Sequence, residues 1–213
     1  MIYLIFLAII FVISISLHEY AHAWTSNYFG DPTPKLQGRL TPNPLVHIDP
    51  IGFLLIFLIQ FGWGRPVIVN PAYYKNTLRD ELLVALAWPA TNLLLAFFAS
   101  CIMLLYGKIF GAEALLSAPS MVVSFRALFA HINVALAVFN LLPIYPLDGY
   151  RIVKYLVPRV GYWMEDNRQM ITIALLICIA LPFTSNLIGT TIATVSTFVF
   201  GLIHAFVTLL FFF

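Results

Sequence analysis

Residues 2–24 read IYLIFLAIIFVISISLHEYAHAW, a largely apolar stretch without Lys, Arg, Asp or Pro that carries two histidines and a glutamate near its end. At about 1.5 Å per residue, a helix of this length crosses the ~30 Å hydrocarbon core of a bilayer. Five more apolar runs follow, at 45–63, 82–106, 120–142, 164–182 and 190–213, separated by short stretches bearing polar residues, Pro or Gly. Of 213 residues, 62% are hydrophobic and only 9% charged, whereas an average soluble domain is about a quarter charged. The pattern predicts an all-α polytopic membrane protein with about five transmembrane helices. Roughly 20 residues per crossing leave little chain for a soluble module. We expect one membrane-embedded domain over 1–213, with a core at about 1–155 and a C-terminal helical hairpin at about 164–213.

Several classes are disfavoured at once. A secretory signal is imitated by Ala21-His22-Ala23, but no basic stretch precedes the apolar run, which is already long enough to span. The net charge of +2 includes no basic cluster, so nothing points to nucleic acid. Cys101 and Cys178 lie in apolar runs without a C-x-x-C pattern, which indicates neither a disulfide framework nor a cysteine metal site.

The run at 45–63, LVHIDPIGFLLIFLIQFGW, is the weak one. His47, Asp49, Pro50 and Gly52 interrupt its first half, leaving a length typical of a re-entrant element. Between the first two runs, GDPTPKLQGRLTPNP holds four prolines and cannot form a long helix. The stretches 35–41 and 66–70 have extended-looking composition, and a small hairpin at the membrane surface is expected from them. Lys35, Arg39, Arg65, Lys75 and Arg79 form one basic group, Arg151, Lys154, Arg159 and Arg168 another, while the 107–119 loop holds Lys108 alone. The positive-inside rule puts the first two groups in the cytoplasm and the loop outside. That requires 45–63 to turn back without crossing.

His18-Glu19-Tyr20-Ala21-His22 is an H-E-x-x-H pentad on a stretch with no helix breaker. Spacing i, i+4 sets His18 and His22 one turn apart on one helix face, where both can reach a single Zn²⁺. Glu19 is then placed to take a proton from water. The pentad alone also arises by chance, but ionisable residues inside a membrane segment are costly and mark function by default. A zinc site needs a third protein ligand. Asp148, in NLLPIYPLDG at 140–149, is the candidate, although an Asp-Gly is equally an ordinary turn. Parity favours the ligand reading: if 45–63 is re-entrant, two runs cross between residues 22 and 148, and Asp148 returns to the leaflet of the histidines.

HEYAH at 18–22, GRLTPNPLVHIDPIG at 38–52, FGWGRPVIVNP at 61–71 and FNLLPIYPLDG at 139–149 together resemble the site-2 protease family of intramembrane zinc metalloproteases, in its small bacterial branch lacking PDZ and CBS domains. The resemblance covers residues 1 to about 155. It implies a multi-pass protein of the bacterial plasma (inner) membrane with its active site near the cytoplasmic side, cleaving membrane-protein or peptide substrates. One Zn²⁺ per chain would be held by His18, His22 and Asp148, with Glu19 as catalytic glutamate and Asn140 assisting substrate or oxyanion binding. One departure stands out. Ala87-Trp88-Pro89-Ala90-Thr91-Asn92 carries tryptophan where relatives commonly have glycine, and Tyr145 replaces a common proline more mildly.

The remaining polar residues carry weaker readings. His47 and Asp49 either order the site from behind or cap a turn. His131 and Asn133 suit helix–helix hydrogen bonding, and His204 suits packing. Arg126 suits snorkelling to the outer interface, and the closing Phe211-Phe212-Phe213 suits lipid or core contact. A metal or ion transporter is the rival class; it predicts polar groups spread through the bilayer depth and often a repeated half, neither visible here. An inactive scaffold of the same fold predicts loss of Glu19 or a ligand, and none is lost. Substrate identity and oligomeric state are not written in these residues.

Overall fold

The chain was analysed as a computed structural model describing residues 2–59, 62–111, 113 and 119–212. Phe61 of the 61–71 stretch, residues 112 and 114–118 of the 107–119 loop, and Phe213 lie outside the described residues.

The architecture is helical throughout. The helices are α1 (Ile2–Tyr28), α2 (Thr33–Leu36), α3 (Pro50–Ile59), α4 (Thr77–Phe110), α5 (Ser120–Asn140), α6 (Gly149–Leu156), α7 (Pro158–Asp166), α8 (Arg168–Ala180) and α9 (Pro182–Phe212). Four of them, α1, α4, α5 and α9, are long and apolar enough to cross a membrane. The fifth expected crossing, 164–182, yields only the 13-residue α8, about 20 Å long and short of a bilayer core. Two local causes shorten it. Residues 164–166 belong to α7, and Pro182 forces Leu181 out of the helical region to ψ 127°.

The helix α4 is the hub, packing on α1, α5, α6 and α9. Asn76 caps it by accepting the Arg79 N–H at 3.3 Å, and Asp80 reciprocates by accepting the Asn76 N–H at 3.0 Å. Small residues at the α4–α5 contact, Ala96, Ala99, Ala130 and Val134, let the backbones approach closely. Beside them the Asn92 amide donates to Asn133 Oδ1 at 2.9 Å, a buried interhelical bond contributing about 0.6 kcal/mol by membrane-protein averages. Asn133 thus plays the expected interhelical role. His131 lies edge-on to Phe200 of α9 at 6.5 Å, and His204 also packs near Phe200.

Residues 45–63 do turn back. The helix α3 has ten residues, about 15 Å, half of a bilayer core. By residue 62 the chain has returned to the start of α3: Ile48 and Gly64 form an antiparallel bridge, and the Arg65 N–H donates to the His47 carbonyl at 2.7 Å. Glycine is required at this crossing. A Cβ on Gly52 would strike the Trp63 backbone, and one on Gly62 would strike the Gly52 carbonyl. Asp49 acts as a cap, its Oδ1 accepting the Ile51 and Gly52 N–H groups at 3.0 and 2.8 Å. His47 is fully buried and its Nε2 meets the Thr41 carbonyl at 2.8 Å, so both residues shape the turn.

The expected hairpin does not form. Among the described residues there is no strand, and the Ile48–Gly64 bridge is isolated. A helical turn, α2, opens at Thr33 and Pro34 and absorbs Lys35 and Leu36, so 35–41 is not extended throughout. The two stretches still meet, through the Gln37 side chain, which donates to the Ile68 carbonyl at 3.0 Å. Asp31 ties down the far end of 65–70. Fully buried, it accepts from the Asn70 and Thr33 N–H groups and the Ser26 hydroxyl at 2.7–2.9 Å.

Candidate active site

His18, Glu19 and His22 fall on the inward face of α1 and are all buried. One helical turn separates the two imidazoles, whose ring centroids stand 5.4 Å apart. His22 Nδ1 lies 2.9 Å from the Val84 carbonyl of α4. A carbonyl can only accept, so the proton of the neutral ring sits on Nδ1 and the Nε2 lone pair is left available. That nitrogen faces Asp148 Oδ2 at 3.3 Å.

Asp148 arrives from the loop after α5. Gly149 makes its approach feasible, because a Cβ there would collide with the Leu141 and Leu142 carbonyls. The loop can thus fold back against the end of α5 and set Asp148 immediately before α6. The result is a cluster in which one ligand atom each from His18, His22 and Asp148 lie within 4.8 Å of one another.

The donor set fits a divalent cation such as zinc: two imidazoles, one carboxylate and, among the described residues, no further protein ligand. Asp148 Oδ2, a buried atom of the cluster, has no hydrogen-bond partner, a costly state for a polar atom and one that coordination relieves. Glu19 stands beside the cluster, with Oε1 3.6 Å from His18 Nε2 and Oε2 accepting the Val67 N–H at 2.8 Å. Asn140, the last residue of α5, is buried at the cavity edge and gives one amide hydrogen to the Leu136 carbonyl at 2.9 Å.

These residues floor a cavity of about 580 Å³. Its walls are apolar: Leu7, Phe11 and Ile15 of α1, Ile132 and Leu136 of α5, and Leu175, Leu176 and Ile179 of α8. Leu7 is eleven residues from His18, so the cavity follows α1 for about 16 Å. Val67 and Val69 line it from the extended 65–70 stretch.

Sequence reasoning brought His18, Glu19, His22, Asp148 and Asn140 to one place, and the structure puts all five around this cavity. It missed Val67, whose backbone holds Glu19, and Val84, whose carbonyl orients His22; backbone partners leave no mark on residue identity. It also missed Arg151, which lines both this cavity and an adjoining polar one of about 570 Å³. Burial works against the charge of Arg151, but Tyr150, Asp148 and Glu81 outweigh it and hold the guanidinium's pKa above its ordinary value. Its i+3 spacing from Asp148 was a usable signal once α6 is assigned.

An all-helical polytopic membrane protein with a buried His-His-Asp cluster and an adjacent glutamate defines a class, the membrane-embedded metalloproteases. The description "Peptidase family M50" matches residues 107–183. Relatives bearing the name "Putative zinc metalloprotease" include YwhC of Bacillus subtilis, 42% identical over 153 residues, covering 72% of this chain and 69% of that protein. Rip2 of Mycobacterium tuberculosis is 30% identical over 179 residues, covering 80% of this chain and 65% of its own. Rip2 of Mycolicibacterium smegmatis is 32% identical over 183 residues, covering 80% and 66%. The matches thus span about two thirds of each relative's length. The chain belongs to peptidase family M50, the site-2 proteases. No solved structure matches it.

Proposed function

We propose that the chain is an intramembrane zinc endopeptidase that hydrolyses peptide bonds in or near transmembrane segments of membrane proteins. One observation carries the reading: the His18, His22 and Asp148 ligand atoms converge within 4.8 Å, with Glu19 alongside, on the floor of an apolar cavity.

His18, His22 and Asp148 would hold the metal, one per chain. When bound, Zn²⁺ supplies Lewis acidity that polarises the scissile carbonyl and makes water a competent nucleophile near neutral pH. Glu19 takes the proton from the attacking water and delivers it to the leaving amine. Asn140 has a second amide hydrogen to offer the carbonyl oxygen as negative charge develops there. A substrate helix must unwind first, because its own hydrogen bonds shield its carbonyls. The extended 65–70 stretch, pinned at Arg65 and Asn70, offers an edge beside Glu19 along which the unwound segment can lie. The basic residues of the 35–79 and 151–168 stretches support, by the positive-inside rule, a site near the cytoplasmic face of the plasma membrane. The catalytic core is residues 1 to about 155, and the hairpin at about 164–213 completes the cavity wall through α8.

The test compares wild type with Glu19→Gln, purified in detergent, on a panel of transmembrane peptides, with zinc measured by elemental analysis. Wild type is expected to carry zinc and cleave; Glu19→Gln should keep the zinc and lose about 10²- to 10⁴-fold in rate. Equal cleavage by both, or wild type without zinc, sinks the reading.

A further inference from the structure

One bulky ring, that of Trp88, lies inside the cavity that holds the cluster. Trp88 stands on α4 one turn beyond Val84. The centroid of its indole is 5.5 Å from that of the His22 ring, with the planes tilted by 49°. The side chain is 7% exposed, and its Nε1 is enclosed without a hydrogen-bond partner. A large, rigid group therefore occupies space beside the metal-binding His22, in a cavity also lined by Ile15, Leu136 and Leu175.

The consequence follows from strand geometry. An extended peptide advances about 3.3 Å per residue and points successive side chains to opposite faces. With a scissile bond held at the cluster, the two flanking side chains leave in opposite directions, each within a few ångströms of the metal ligands. The indole takes up room in the part of the cavity next to His22, while Ile15, Leu136 and Leu175 line other parts of it.

We propose that Trp88 is a specificity-determining residue that admits only a small side chain, such as Gly, Ala or Ser, at one of the two positions flanking the scissile bond, while the other position accepts large apolar side chains. The inference rests on the endopeptidase reading above.

The test uses a transmembrane peptide that wild type cleaves, varied to Ala, Leu or Phe at each flanking position separately, with wild type, Trp88→Ala and Trp88→Phe in detergent. For wild type, kcat/KM is expected to fall at least about 10-fold from Ala to Phe at one position only, and Trp88→Ala should reduce that penalty to within about 3-fold. Trp88→Phe, a smaller ring, should fall between. Zinc content and thermal melting confirm that each variant is folded. Should Trp88→Ala not fold, Trp88→Phe must by itself relax the penalty by about 3-fold or more, or the inference is overturned. An Ala-to-Phe ratio unchanged by either folded variant overturns it while leaving the protease reading intact. A wild type that cleaves no peptide removes both.

Discussion

At the residue scale, the candidate centre combines groups held by very different means. His18 and His22 are neighbours because of helix pitch, and their separation is a property of α1 alone. Asp148 reaches them only because Gly149 lets a loop fold against two carbonyls. The Val84 carbonyl fixes the His22 tautomer, and the Val67 N–H fixes one oxygen of Glu19. If this geometry serves metal binding, Asp148→Ala should lower bound zinc from one per chain to well below half after dialysis, while circular dichroism shows the helices intact. Retention of full zinc by that variant would remove Asp148 from the ligand set. The five predicted site residues were legible because their chemistry is in their side chains; their orienting partners were not, because any residue supplies an N–H or a carbonyl.

At the scale of elements, one buried cation fastens the base of the site. Lys154 of α6 donates to Glu165 of α7 at 2.8 Å and pairs with Glu81 of α4 at 2.8 Å. Burial alone would lower its pKa, but the Glu165 and Glu81 carboxylates outweigh that and hold it above the ordinary lysine value. Glu81 lies less than one turn before Val84, so this pairing locks α6, which begins beside Asp148, to the stretch of α4 that orients His22. Lys154→Met leaves Glu81 buried without its cation, and a loss of roughly 3–5 kcal/mol is expected, read as a lower thermal midpoint in detergent. An unchanged midpoint would show that the pair adds nothing. Elements whose limits depend on local signals were legible: α1, α4 and α5 cover the expected apolar runs. The hairpin was not, because composition suggested extended chain in 35–41 while the helical turn that opens at Thr33 and Pro34 runs into it.

At the scale of the whole molecule, the turn at α3 decides everything downstream. With α3 returning to its own entrance, α4 and α5 are the full-length crossings among the described residues between His22 and Asp148, and the ligands meet. The arrangement predicts labelling in sealed vesicles: cysteines placed at Gln37, Lys75 and Arg159 should react with an impermeant thiol reagent from one face, and a cysteine at Glu113 from the other. Opposite labelling of Gln37 and Lys75 would mean that 45–63 crosses, and the proposed site could not assemble.

The sequence by itself determined the class of fold, the pentad and the identity of the third ligand candidate, because hydrophobic length, helical spacing and charge placement are local or additive quantities. Only the tertiary structure decided how the parts close on one another. The return of residue 62 to Gly52, the anchoring of 65–70 at Asp31, the carbonyl that orients His22 and the indole beside that ring all depend on contacts between distant segments. Such contacts are set by shape and by backbone groups common to every residue, so no single position announces them.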